Sequence, residues 1–317
     1  MDGMNIVVVF PGQGSQSIGM LSDYAETWPQ IEETFKQASD ILGYDCWDIV
    51  CNGPAEKINQ TEITQPIMLA ADIAVMRVME QQCMLTPMVF AGHSLGEYAA
   101  LVAAQALDFE DAIKLVSKRG QLMQAAVPEG EGAMAAIIGL NDEAIINICK
   151  QVSSDTGVPV EAVNFNSPGQ VVIAGATDAV NKAMELLKEE GAKRALPLPV
   201  SVPSHSSLMK PAADKLADYL KDVKINTPKI QVIHNVDAKS HEKPDEIRDA
   251  LVRQLYNPVR WTQTIQIITD GADAVIECGP GRVLGGLTRR INNDVKSYSL
   301  DSMVSMEKFL DAMSVEV

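Results

Sequence analysis

The 317-residue sequence predicts an α/β protein: a mostly parallel sheet in one large domain, with a second, smaller sheet inserted into it. Three observations support this. Apolar runs such as Ile6-Val7-Val8-Val9-Phe10 lack polar alternation, as expected of strands covered by helices on both faces. Such runs alternate with stretches of helical periodicity through most of the chain, the pattern of crossovers between parallel strands. After Pro128-Glu129-Gly130-Glu131-Gly132 the rhythm changes to strand, helix, strand, strand, helix, strand. That order is the ferredoxin-like pattern.

The first strand covers 5–10 and ends in Pro11-Gly12-Gln13-Gly14-Ser15-Gln16. A glycine-rich loop at this place invites a phosphate-cradle reading. Ser17 stands where a dinucleotide fingerprint needs its third glycine, however, and no Gly-Lys-Ser/Thr follows. Two other readings stay open: a loop offering backbone N–H groups to an oxygen at an active centre, and a plain structural turn. Residues 29–42 carry Ile31, Phe35, Ala38 and Leu42 at helical spacing and stop at Gly43. A second helix over 61–79, with Pro66 near its start, leads into a short strand over 88–91 behind Pro87.

Next comes Gly92-His93-Ser94-Leu95-Gly96, followed by small helix formers from Glu97 to Ala106. Strand, tight turn and helix are the setting of a nucleophile elbow, with Ser94 at the apex. The plainer alternative is an ordinary turn that carries a serine. Asp108 caps a helix over 109–126. Within it Arg119 has only apolar helical neighbours, Leu115, Val116, Leu122 and Met123. A guanidinium on a core stripe must find an anion. It is either a structural salt bridge or a bidentate clamp for a substrate carboxylate.

The insert reads as a strand over 133–139, a helix over 141–152, strands over 158–164 and 170–175, a helix over 178–190 and a strand over 194–199. The middle strands are joined across Asn166-Ser167-Pro168-Gly169. Residues 127–198 are therefore expected to form a ferredoxin-like subdomain, with 1–126 and 199–317 forming the large domain. The large domain resumes at Val200, and His205 falls between a strand end and a helix over 208–220. It is a catalytic group, or a cap or packing residue. His93 lies in the elbow, His234 in an apolar strand over 230–236 and His241 in a polar loop. Helices over 245–256, 259–270 and 282–291 and a strand over 274–278 complete the chain.

A net charge of −16 argues against nucleic acid and anionic membrane surfaces as partners. Five scattered cysteines without Cys-x-x-Cys suit a reducing cytosol better than a disulfide framework or a zinc site. A core strand at 5–10 leaves no room for a signal peptide, and no apolar run reaches the length of a membrane span. The expected location is cytoplasmic.

Six motifs occur in the order seen in one family. They are Pro11-Gly12-Gln13-Gly14-Ser15-Gln16, Gly92-His93-Ser94-Leu95-Gly96-Glu97-Tyr98, Arg119-Gly120 with Leu122-Met123, Gly132-Ala133-Met134, Val202-Pro203-Ser204-His205 and Gln254-Leu255-Tyr256-Asn257-Pro258. From residue 5 to about 312 the chain resembles the stand-alone bacterial malonyl-CoA:acyl carrier protein transacylases of fatty acid synthesis. The resemblance implies an α/β-hydrolase-like large domain. It implies Ser94 as the acylated nucleophile and His205 as general base and acid, oriented by the side-chain carbonyl of Gln254. It makes the backbone N–H groups of Gln13 and Leu95 an oxyanion hole and Arg119 the holder of the malonyl carboxylate. Asn164, with Asn166 as a second candidate, falls in the cleft between the subdomains.

The same resemblance implies no metal or redox cofactor, malonyl-CoA as substrate, holo acyl carrier protein as partner, and a monomer. An acidic carrier would need a local basic patch on this acidic chain. Lys118, Arg282, Arg289 and Arg290 are candidates, with solvated charges near helix ends as the alternative. Ser204 is a departure from the modular polyketide relatives, where Phe before the histidine accompanies malonyl and Ser accompanies methylmalonyl. The stand-alone malonyl enzymes share Val-Pro-Ser-His, so malonyl is the expected group. One rival is a serine hydrolase with the same elbow. That fold places an acid before its histidine, whereas Gln254 follows His205 here. The other rival is a catalytically silent module that binds CoA or carrier protein.

Overall fold

The computed structural model describes residues 3–315. Among them nine strands build two sheets: β1 (Ile6–Phe10), β2 (Val89–Gly92), β3 (Gly132–Ile138), β4 (Val160–Ser167), β5 (Gln170–Ala176), β6 (Arg194–Pro197), β7 (Gln231–Ile233), β8 (Ala274–Glu277) and β9 (Lys296–Ser299).

The first sheet runs β7-β2-β1-β8-β9, and all four pairings are parallel. Every residue of β1, β2 and β8 is buried, which explains their unbroken apolar character. Phe10 and Phe90 meet across the β1–β2 pair with ring centroids 5.8 Å apart. Such a tilted pair adds roughly 0.5–1.5 kcal/mol beyond its burial. The chain leaves β1 toward β2 on one side and later returns to β8 on the other. The strand order thus switches at β1, and in open parallel sheets sites form outside the carboxyl ends of strands at such a switch. The 11–16 loop and the elbow turn leave β1 and β2 at this point.

The second sheet runs β4-β5-β3-β6 and is antiparallel throughout. Its helices Asp142–Thr156 and Thr177–Glu189 bury Ile145, Ile148, Val152, Val180 and Leu187 against Ala135, Ile137 and Ile173. The expected fold class is borne out: a mostly parallel sheet and a separate antiparallel sheet of ferredoxin-like order. The second sheet is tied to the segment before the helix Trp261–Ile268, where Val259 N–H donates to Val163 O at 2.8 Å and Phe165 N–H donates to Val259 O at 3.0 Å.

Several boundaries differ from expectation. The strand over 230–236 shortens to Gln231–Ile233 because His234 N–H turns to the carbonyl of Lys239. The helices over 245–256 and 259–270 shorten to Pro244–Gln254 and Trp261–Ile268. Among the described residues no strand leads directly into His205. β6 ends at Pro197, and His205 sits in an irregular segment ahead of the 3-10 turn Ser207–Met209 and the helix Lys210–Leu220. The helices Ser22–Thr27, Cys46–Asn52 and Ala55–Ile58 were too short to set up a readable period, and β9 and the helix Met303–Val315 were also unexpected. Among the described residues no helix is long and apolar enough to cross a membrane.

Candidate active site

Two glycines shape the elbow. A Cβ at Gly92 would lie 1.8 Å from the carbonyl oxygen of Gly96, and one at Gly96 would lie 2.1 Å from that of Phe10. Only glycine allows the turn to fold this tightly against the end of β1. The turn forces Ser94 into the left-handed region, φ 53°. That conformation costs an L-residue roughly 1–2 kcal/mol. Flanking side chains hold it there. Ser94 N–H donates to Asn235 Oδ1 at 2.8 Å, and Ser94 O accepts from Gln254 Nε2 at 2.9 Å.

Ser94 Oγ and His205 Nε2 are 2.8 Å apart, although 111 residues separate them in sequence. The other ring nitrogen, Nδ1, lies 2.7 Å from the backbone carbonyl oxygen of Gln254. A carbonyl only accepts, so Nδ1 carries the proton and Nε2 is left to accept one from Ser94. His205 is itself held at φ 65°. Burial, with the nearby Arg119 charge as a second cause, pushes its pKa down to about 3. The imidazole is therefore neutral at neutral pH.

The expected contact of Gln254 needs correction. Its backbone carbonyl meets the histidine; its side-chain carbonyl does not. Gln254 Oε1 accepts from Arg119 Nη2 at 2.9 Å, while Nε2 donates to Ser94 O and, at 3.3 Å, to Asn235 Oδ1. The helix ends at Gln254, which frees its carbonyl for the imidazole.

Arg119 is 1% exposed, and its guanidinium carbon lies 5.3 Å over the Tyr98 ring. Nη1 donates to Gln65 Oε1 at 2.8 Å, and Nη2 approaches Ser94 Oγ at 3.4 Å. The arginine ion pairs among the described residues belong to Arg248, Arg253 and Arg282. Arg119 has none. Its charge is held by amide oxygens beside the serine, so the structural salt bridge is not realised.

The 11–16 loop lies against the elbow. A Cβ on Gly12 would fall 2.5 Å from His93 O and 3.5 Å from Leu95 N. Among the described residues neither Gln13 N–H nor Leu95 N–H has an acceptor. Leu95 is also the N-cap of the helix Gly96–Ala103, where the backbone favours negative charge. Gln13 Oε1 accepts from Thr61 Oγ1 at 3.0 Å, and Gln65 Nε2 donates to that same hydroxyl at 3.1 Å. The loop and the arginine are thereby linked.

Asn166 Oδ1 lies 2.7 Å from His93 Nε2, and the His93 ring packs 5.2 Å from Trp261. Asn164 is on β4 beside Val259, with Oδ1 buried and without a hydrogen-bond partner. Its Oδ1 makes no hydrogen bond to Ser94, His205 or Arg119. Of the four histidines only His205 reaches the serine. His234 is fully buried beside Glu97, and His241 pairs with Asp237 at 2.7 Å. The sequence reading missed Gln65, Asn235 and Glu97. Two of them had a usable signal: Glu97 stands in the elbow motif, and Asn235 follows an apolar strand, where side chains at carboxyl ends gather at the switch point.

Fold and site together define an acyltransferase of the elbow-serine type, and residues 7–305 match the family described as acyl transferase domain. The chain is 60% identical over 308 residues to the malonyl CoA-acyl carrier protein transacylase of Haemophilus influenzae, covering 96% of this chain and 98% of the relative. It superposes with a TM-score of 0.93 on an acyl carrier protein S-malonyltransferase from Vibrio cholerae, at 55% identity over 96% of this chain and 99% of that one. A malonyl-transacylase solved in complex with its type II PKS acyl-carrier protein superposes at 0.95, with 53% identity over 97% and 99%. The chain belongs to the acyl transferase domain family and, within it, to the malonyl CoA-acyl carrier protein transacylases.

Proposed function

We propose that the chain moves a malonyl group from malonyl-CoA to the phosphopantetheine thiol of holo acyl carrier protein, through an acyl-Ser94 intermediate. The reading supplies fatty acid chain elongation in the cytoplasm, with a monomeric enzyme that uses no metal or redox cofactor. One observation carries it: a buried arginine that forms no ion pair among the described residues stands 3.4 Å from the serine hydroxyl. A buried cation needs a counter-charge, and the free carboxylate of a malonyl group supplies one in a planar, bidentate form.

In the first half-reaction Ser94 Oγ bonds to the thioester carbonyl carbon while its proton passes to His205 Nε2. The oxyanion is received by the N–H groups of Gln13 and Leu95. The C–S bond then breaks, and His205 returns the proton to the CoA sulfur. The second half-reaction reverses these steps with the carrier thiol as nucleophile. Neutralising Arg119 with the malonyl carboxylate removes a charge that depresses His205, so the bound substrate makes its own base stronger. Asn164 joins the substrate site in this reading, supported by its unpartnered Oδ1 and by Asn166 two residues on. The reading keeps residues 127–198 as a subdomain inserted between 1–126 and 199–317, supported by the separate hydrophobic cluster under the second sheet.

Intact mass spectrometry after mixing with malonyl-CoA tests the proposal. One malonyl adduct is expected on the protein and none on Ser94→Ala, and addition of holo carrier protein should discharge the adduct onto the carrier. Hydrolysis to malonate at the same rate with and without carrier would favour the hydrolase reading instead.

A further inference from the structure

We propose that Asn235, anchored on the buried carboxylate of Glu97, is a positioning residue that holds Ser94 in its reactive backbone conformation. The inference rests on Ser94 being the acylated residue and gives a role to Asn235, which no motif marks.

One amide grips the elbow on both sides of its apex. Asn235 Oδ1 accepts from Ser94 N–H at 2.8 Å, and Nδ2 donates to Gly92 O at 2.7 Å. Its own backbone is fixed in turn, since Asn235 N–H donates to Glu97 Oε1 at 2.6 Å. The second oxygen of Glu97 lies 3.3 Å from His234 Nδ1, and the His234 ring packs tilted against His241 with centroids 5.1 Å apart. Asn235, Glu97 and His234 are all fully buried. Glu97 follows Ser94 by three residues on the helix Gly96–Ala103, so the clamp closes on itself. The serine's own helix holds Asn235, and Asn235 holds the serine.

Two consequences bear on the reaction. Ser94 at φ 53° is not a relaxed residue, and without the clamp its backbone can return toward ordinary φ, carrying Oγ away from His205 Nε2. The clamp also occupies Ser94 N–H, whereas Leu95 N–H has no acceptor among the described residues. Asn235 thereby leaves Leu95 as the elbow's donor to an oxyanion. Glu97 is needed as a hydrogen-bond acceptor for Asn235, which an amide serves as well as a carboxylate.

The test measures reaction of Ser94 in the full chain with two reagents, malonyl-CoA and a fluorophosphonate, by rapid quench and intact mass. Asn235→Ala should slow both reactions by about 100-fold, the scale of a misplaced reacting group. Half-saturation by malonyl-CoA should stay within about twofold, because Arg119 is untouched. Glu97→Ala should show the same pattern, and Glu97→Gln should recover most of the lost rate. Wild-type rates in Asn235→Ala with both reagents would overturn the clamp. So would rate losses in Asn235→Ala and Glu97→Ala that merely track the folded fraction seen by circular dichroism. If wild type reacts with the fluorophosphonate but takes no malonyl, the proposed function fails, and the fluorophosphonate rates alone still decide for or against the clamp.

Discussion

Arg119 is buried and pairs with no carboxylate among the described residues, whereas Arg282 is exposed and holds Asp301 at 3.0 Å and the Ser305 hydroxyl at 2.8 Å. Pairing matters least at the surface, where water screens the charge and such a bridge is worth about 0–1 kcal/mol. It matters most in the interior, where a lone guanidinium is costly. An arrangement serving stability alone would give the acid to Arg119. The structure instead surrounds it with the neutral oxygens of Gln65 and Gln254, which orient the guanidinium without neutralising it. The guanidinium is thus left without an ion-pair partner among the described residues, as the proposed carboxylate clamp requires.

The widest separation between the two arginines is expected in Arg119→Ala. Removing one partner of a buried ion pair costs about 3–5 kcal/mol. At tenfold per 1.4 kcal/mol, malonyl transfer should fall by at least about two orders of magnitude. Acetyl-CoA has no carboxylate to lose and should be transferred nearly as before, so the malonyl-to-acetyl ratio collapses. A preserved ratio with a lowered melting temperature would make Arg119 a structural residue like Arg282.

Gln254→Ala tests whether orientation of Arg119 is what counts. The substitution keeps the backbone carbonyl that holds His205 but removes the side chain that touches Arg119 and Ser94 O. Both half-reactions should slow by about tenfold, the worth of one charge-assisted hydrogen bond. Unlike a variant of a pure histidine-orienting residue, it should also lose preference for malonyl over acetyl. Unchanged acyl preference in competition assays would detach Gln254 from the clamp.

Arg119 also acts on the titration of its neighbour His205. His205 is depressed to about 3, first by burial and second by Arg119. Its folded pKa lies below the unfolded value of about 6.5, so its contribution to stability is present above that range and is lost as pH falls toward 3. Acylation needs the neutral ring. The acid limb of kcat/KM for acetyl-CoA should therefore lie well below 6.5 in wild type and move upward in Arg119→Gln. An acid limb that stays in place would mean that burial alone sets the histidine.

The smallest effect is expected at the surface. Arg282 is engaged with Asp301, Arg290 Nη1 donates to Gln170 at 3.2 Å, and Arg289 is exposed on the helix Val283–Ile291. Charge reversal at Arg289 and Arg290 together should raise KM for carrier protein several-fold and leave self-acylation by malonyl-CoA intact, because rim charges steer encounter more than they hold a complex. An unchanged carrier KM would return both residues to the solvated background.

Much of this was legible in the chain. Unbroken apolar strands, helical periodicity and the split β-α-β rhythm determined the fold class, because these signals are local: short uninterrupted apolar runs and a helical repeat of about three to four residues. The elbow was readable because strand, glycine turn and helix are contiguous, and Arg119 because its helical neighbours are three and four residues away. Only the tertiary structure decided which oxygen of Gln254 meets His205, that Arg119 forms no ion pair among the described residues, and that Asn235 and Glu97 clamp the serine. Ser94 is separated by 111 residues from His205, 141 from Asn235 and 160 from Gln254. Contacts at such separations depend on the order in which strands pair and on which atom of a side chain then faces the crevice, and no local period in the sequence records either.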